Sequence, residues 1–225
     1  MSREWYAFGD KCYEVMVRKF KRIFTRYRLM LRFDELNVMG VRKASISLYS
    51  ELDTICRKYF TLVAKRAYTE AKRELEHSSD DKETDDIIDD VWISKQLSGY
   101  NPVTKYVYKH EVERKRARFM ESVLADHEAG SRRAVANDFT TAENLWKRQT
   151  EFNLITIEDA AVLQGYKKMG VRHAKWVTQR DERVCKECKP RDGVIYPIDG
   201  IPTKHPGCRC YLIPILDDSR NSRKS

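Results

Sequence analysis

The sequence predicts an α+β protein, mainly α, in which an elongated helical N-terminal part precedes a small C-terminal module of short β-strands. Three observations favour this fold class. Apolar residues recur every three or four positions over most of the first 170 residues, as on one face of an α-helix. Beyond Gly170, short β-branched or aromatic runs are bounded by Gly, Pro and Asp. Charged residues are 34% and hydrophobic residues 41% of the chain, which suits long exposed helices better than one large core.

The helical portion is predicted to cover 1–130. Its apolar stripes indicate helices at 13–31, 48–76, near 80–97 and at 103–130. The helix near 80–97 is acidic, and the polar residues 78–81 are expected to break the chain and cap it. Gly130 is expected to close the fourth helix. Cys12 and Cys56 fall beside apolar stripes, and Cys12 is expected to be a buried, unreactive thiol.

The second region, 131–216, begins with helical character and ends with strands. Thr156 followed by Asp159 resembles a capping box, which predicts a helix that starts there and stops near Gly170. Three short strands are expected at 174–178, 193–198 and 211–215. The polar stretch 217–225 is predicted to be a disordered tail.

The charge balance is basic. Lys and Arg number 43 against 34 Asp and Glu, giving a formal net charge of +9, which favours an acidic partner such as nucleic acid. The alternative explanation is that the positive net charge only keeps the protein soluble. The first thirty residues are rich in Arg and Lys, and no uninterrupted apolar segment follows them. We therefore expect no signal peptide and no membrane span.

Four of the six cysteines are close together in the sequence, and a histidine lies among them. Cys185 and Cys188 have the two-residue gap that lets one turn direct both sulfurs at a single ion. His205 and Cys208 repeat that gap, and Cys210 follows. The Gly- and Pro-rich segment between the two groups supplies almost no core, so a structural zinc ion would stabilise this module, 176–212.

Tetrahedral zinc needs four ligands, whereas five candidates are present. Cys185, Cys188 and Cys208 are the expected ligands, and His205 and Cys210 compete for the fourth position. Two disulfides between the two groups, or free thiols without a ligand, are the alternatives. We call the segment 185–210, which carries these candidate ligands, the metal loop. Trp176 is expected to pack under it.

The C-terminal region resembles a family of phage proteins. The resemblance rests on several ordered elements: Arg148, Thr150 and Glu151, with Gln149 between the first two; Gly170 and Val171 ahead of Trp176; Thr178 and Asp181 before Cys185 and Cys188; and His205, Pro206, Gly207, Cys208, Arg209 and Cys210. The last group matches the His-Pro-x-Cys-Arg-Cys signature of the phage Mu protein F-like minor head proteins, also called phage head morphogenesis proteins. The resemblance extends from Arg148 to Leu212, within the second region, 131–216.

The resemblance implies a low-copy virion component that is made in the bacterial cytoplasm and lies inside the procapsid or head. Its partners would be the portal protein, a scaffolding protein and DNA contacted without sequence preference, and no membrane. Such a protein assembles the head or delivers DNA and is not an enzyme. The alternative is a zinc-stabilised nuclease or other DNA-acting enzyme using His173 or His205. No histidine–carboxylate cluster at motif spacing supports that alternative.

Overall fold

The structure is a computed structural model that describes residues 4–75, 88–99, 107–179, 184–205, 208 and 210–216. Its elements are α1 (Glu4–Met30), α2 (Val38–Arg73), α3 (Asp90–Ser98), α4 (Tyr108–Glu128), α5 (Arg132–Lys168), β1 (His173–Val177), β2 (Ile195–Pro197) and β3 (Tyr211–Ile215). Short 3-10 turns occupy Phe33–Glu35, Lys189–Arg191 and Ile198–Gly200. The predicted class, α+β and mainly α with a small C-terminal sheet, is therefore confirmed.

Polar side chains and glycines define the ends of the helices. Asn37 and Asp89 accept hydrogen bonds from amides of the first turns of α2 and α3, at 2.8 and 2.7 Å. These bonds satisfy amides that have no partner inside the helix. Gly130 and Gly170 follow α4 and α5 with φ of 71° and 75°, a left-handed conformation that costs glycine little.

The apolar residues of all five helices form a single buried cluster. Trp146 of α5 is 1% exposed and meets Phe20 and Tyr49 edge-on, with ring centroids 6.4 and 5.5 Å away. At Gly165, an added Cβ would lie 3.0 Å from the Tyr68 carbonyl oxygen, so α2 and α5 are in backbone contact there. The expectation that no large single core would form is wrong, because α2 and α5, 36 and 37 residues long, bury side chains along most of their length.

The break predicted at Thr156 does not exist. α5 is continuous, and the Thr156 hydroxyl donates to the Phe152 carbonyl oxygen one turn earlier, at 2.9 Å, instead of capping a new helix. The sequence pattern of a capping box is present, but Phe152 and Leu154 before it and Ala161 after it are buried. Their burial keeps this part of the chain helical, since tertiary packing outweighs local capping preference.

The helices predicted in the N-terminal part are present, but their first residues differ from the prediction. The first two helices begin at Glu4 and Val38, earlier than the apolar stripes indicated, and the third begins at Asp90. Residues 78–81, most of the acidic stretch and the tail 217–225 lie outside the described residues.

Cys12 and Cys56 are buried, and burial raises the pKa of Cys56 to about 12. Within the described residues, no helix has the length and apolar character needed to cross a bilayer.

The sheet is antiparallel, with strand order β2-β1-β3. In β1, Ala174 and Trp176 point to one buried face, and Leu212 of β3, which pairs with Trp176, is also buried there. The Tyr166 hydroxyl lies 3.1 Å from a Glu74 carboxylate oxygen and 3.4 Å from the Leu212 carbonyl oxygen. The sheet is therefore fixed against the ends of α2 and α5.

We predict opposite roles for two hydroxyls of α5. The Ser131 hydroxyl accepts from the Ala134 amide at the helix start, at 3.2 Å, so Ser131→Ala should lower the free energy of unfolding by about 1 kcal/mol. Thr156→Ala, inside the helix, should change it by less than about 0.5 kcal/mol, because alanine's higher helix propensity offsets the lost contact. Urea denaturation of both variants checks this. A larger loss in Thr156→Ala than in Ser131→Ala would contradict the continuous helix.

Candidate metal centre

The first ligand pair lies on a tight turn after β1. The amides of Cys188 and Lys189 both donate to the Cys185 carbonyl oxygen, at 3.2 and 3.0 Å. The Cys188 amide also lies 3.2 Å from the Cys185 sulfur. This turn holds both thiols on the same side of the chain, as the two-residue gap predicted.

The second group leads directly into β3. The Cys208 amide donates to the His205 carbonyl oxygen at 3.1 Å, which again makes a turn over the two-residue gap. Cys210 immediately precedes Tyr211, the first residue of β3. Cys208, Cys210 and Leu212 belong to the same buried cluster, so their side chains lie together.

All five predicted ligand residues come together in space. Their ligand atoms form two triads, each with its atoms within 4.8 Å of one another: Cys185, Cys188 and His205 in one, and Cys188, Cys208 and Cys210 in the other. His205 Nε2 lies 2.9 Å from the Cys185 sulfur and 3.2 Å from the Cys188 sulfur. The Cys188 and Cys208 sulfurs are 3.6 Å apart. Cys188 joins the two triads.

These distances are compatible with a zinc site. Zinc–sulfur bonds of about 2.3 Å and zinc–nitrogen bonds of about 2.0 Å at tetrahedral angles place two sulfurs about 3.8 Å apart, and sulfur and nitrogen about 3.6 Å apart. The Cys188–Cys208 separation of 3.6 Å fits this geometry. The His205 ring would move outward by roughly half an ångström to admit the ion. All six cysteines of the chain are free thiols.

The surroundings shift the pKa values of Cys185, Cys188 and Cys208 in different directions. Burial raises the pKa of Cys188 well above its usual range and raises that of Cys208 to about 11. Partial burial also acts to raise the pKa of Cys185, but hydrogen bonds from the Cys188 and Glu187 amides outweigh it and lower that pKa. A divalent cation among these sulfurs would favour their thiolate forms, since a coordinating thiol is deprotonated.

Trp176 forms the floor of the cluster, as predicted. It is fully buried and packs in one apolar group with Cys188, Cys208 and Cys210. The Arg191 guanidinium lies over its ring, 5.3 Å from the centroid, where the ring face attracts a cation. The indole therefore joins the ligand turns to the sheet.

A buried ion pair, which sequence reasoning missed, anchors the metal loop to the helices. The Lys204 ammonium is 2.7 Å from Asp159 of α5 and 3.3 Å from the Tyr6 hydroxyl of α1. The Tyr6 hydroxyl donates to Asp159 at 3.0 Å. Lys204 is 3% exposed and adjoins His205 in the chain. Asp159 was interpreted as part of a capping box; no local signal pairs it with a lysine 45 residues away.

The remaining predicted site residues have different positions. His173 begins β1 at the end that pairs with Ile215, about 13 Å along the strands from the cysteine end. It is therefore not part of the cluster. In the Arg-Thr-Glu element, Arg148 is exposed, Thr150 is buried beside Cys56, and Glu151 is partly buried. Asp181, Pro206, Gly207 and Arg209 lie outside the described residues.

Comparisons with protein-family models, with curated proteins and with solved structures find no match to this chain.

We predict that the Lys204 ion pair contributes strongly to stability. Lys204→Met keeps the length of the stem but leaves the Asp159 carboxylate buried without its cation, so the free energy of unfolding should fall by about 3 kcal/mol. Lys167→Met is the matched control, because its partner Asp199 is 81% exposed, and it should lose less than about 1 kcal/mol. Urea denaturation followed by circular dichroism measures both. Equal losses would contradict the anchoring role.

Proposed function

We propose that this chain is a non-enzymatic bacteriophage minor head protein, associated with the portal at low copy and acting in procapsid assembly and DNA packaging or delivery. The observation that carries the proposal is the Cys/His cluster. Of the His-Pro-x-Cys-Arg-Cys signature, the structure describes His205, Cys208 and Cys210. Their ligand atoms form two triads of metal-ligand spacing with those of Cys185 and Cys188. The resemblance to the Mu F-like family supplies the biological role.

The proposal includes one structural zinc ion held by Cys185, Cys188, Cys208 and His205. His205 Nε2 lies close to the sulfurs of both Cys185 and Cys188. The Cys188 sulfur in turn lies 3.6 Å from the Cys208 sulfur. Cys210 is the competing fourth ligand. Four protein ligands leave no open position for water, which is the arrangement of structural rather than hydrolytic zinc.

Contact with DNA is proposed for the exposed face of α1. This face is a basic ridge, defined by six exposed residues: Arg18, Lys19, Lys21, Arg22, Arg26 and Arg28. A helix face rich in lysine and arginine attracts phosphate without distinguishing base sequence. Arg26 is partly engaged by Glu51, so the ridge is not uniformly available.

We predict about one zinc ion per chain in the reduced, purified protein, measured by elemental analysis. Cys185→Ser should abolish the bound zinc, because the ion loses one of its three expected sulfur ligands. Cys210→Ser is the matched control: retention of the metal there assigns the fourth position to His205, and its loss assigns that position to Cys210. Reduced wild-type protein without zinc would contradict the metal site.

The virion role is tested with the phage particle. In particles of the phage that encodes this chain, quantitative mass spectrometry should find it in a few copies, far fewer than the major capsid protein. Co-expression with the portal protein from the same genome should yield a complex. Absence from particles and from the portal complex would contradict the proposal. DNA cleavage by the purified chain, lost in His205→Ala, would favour the nuclease alternative.

A further inference from the structure

A cavity of about 480 Å³ lies between α1, α5 and the metal loop. Its volume falls in the range of small-molecule sites, about 300–1,000 Å³. The walls combine aromatic and aliphatic side chains with carboxylates and two of the cysteines. The residues that the argument uses are Tyr6, Gly9, Asp10, Tyr13, Glu151 and Glu158.

Three carboxylates of this cavity have no cationic hydrogen-bond partner among the described residues. Glu158 is 3% exposed, and its Oε1 atom is buried without any hydrogen bond. Asp10 and Glu151 also form no hydrogen bond or ion pair within the described part of the chain. The nearby Lys204 ammonium is hydrogen-bonded to Asp159 and Tyr6 instead. The cavity therefore gathers three carboxyl groups in a chain whose net charge is +9, and burial raises the pKa of each of them.

An ionised carboxylate that is buried without a partner is strongly unfavourable, and burial raises the pKa of Glu158 accordingly, so this group stays neutral unless a cation binds beside it. The Glu158 carboxyl group lies directly against the α1 backbone: a Cβ added at Gly9 would lie 2.7 Å from Glu158 Oε1, closer than a Cβ atom can approach. Tyr13 provides aromatic surface in the same wall, whereas the Tyr6 ring already has the Lys204 ammonium 4.8 Å from its centroid. Carboxylates beside aromatic rings form a suitable environment for a cation that carries an apolar stem.

We propose that this cavity binds an organic cation, a primary ammonium or guanidinium group on an apolar stem, with Glu158 and Asp10 as its anionic partners. A free amine and a lysine or arginine side chain of another protein share this chemistry. A bare metal ion fits less well: within the described residues, the groups with metal-ligand spacing are the two Cys/His triads, and neither contains these carboxylates. The cavity shares Cys208 and Cys210 with the proposed zinc site, but its carboxyl groups are not zinc ligands, and cation binding here does not require the virion role.

The test is isothermal titration calorimetry of the zinc-loaded full chain with agmatine and with cadaverine. We expect one molecule bound per chain. Glu158→Gln should weaken binding about tenfold or more, because it replaces a charge-assisted hydrogen bond with a neutral one. Gly9→Ala should also weaken it, because the added methyl group would displace the Glu158 carboxyl group without changing any charge. Glu128→Gln, on an exposed carboxylate of α4, is the control and should bind like the wild type.

The outcomes separate the possibilities. An arginine-containing tripeptide with blocked ends distinguishes the sources: if it binds more tightly than agmatine, a partner's side chain is the ligand, and if it does not bind, a free amine is. No heat with any probe at millimolar concentration overturns the proposal. Equal weakening in Glu128→Gln shows general charge attraction and also overturns it. Displacement of agmatine by equimolar magnesium would assign the cavity to a metal ion instead.

Discussion

The position of the metal loop depends on the buried ion pair between Lys204 and Asp159. One ammonium group links the first turns of α1, through Tyr6, to the middle of α5 and to the residue preceding His205. These three segments are far apart in the chain, so the contact forms only when the helices are packed. Removing two charges from water is unfavourable, and burial raises the pKa of Asp159 in spite of Lys204; the close geometry and the hydrogen bond donated by the Tyr6 hydroxyl to the same carboxylate offset part of that cost.

The small module depends on this anchor because its own apolar core is slight. Its buried cluster contains six residues: Ala174, Trp176, Cys188, Cys208, Cys210 and Leu212. Half of them are cysteines, so the same side chains serve as core and as candidate ligands. Metal binding and folding of the module would therefore be coupled, as in small zinc domains. Because Lys204 adjoins His205, a shift of the helical contact would also move a proposed ligand.

The sequence predicts features that depend on periodicity or short spacing, and misses those that depend on tertiary contact. The apolar stripes predict most of the helices, and the short β-branched runs predict the three strands. The two-residue gaps between Cys185 and Cys188 and between His205 and Cys208 predict the ligand cluster. The motif from Thr156 to Asp159 gave a false helix start, because the same residues occur at N-caps and inside helices; burial of Phe152 and Leu154 decides between them. The cavity carboxylates had no signal, since Asp10 and Glu158 meet only through packing of α1 against α5.

Helix α1 presents opposite charge on two sides. Its exposed ridge from Arg18 to Arg28 is basic, whereas Asp10, nearer the N-terminus, lines the acidic cavity. Of these residues, only Arg28 lies in the last turn of α1, where the helix dipole favours a positive charge. Glu158 is not explained in this way, because it lies inside α5 and is buried without a partner. A neutral carboxyl group or a glutamine would fill the same space at lower desolvation cost, and burial does raise the pKa of Glu158 well above its usual range; a bound cation, as proposed, would reverse that shift and hold the carboxylate ionised.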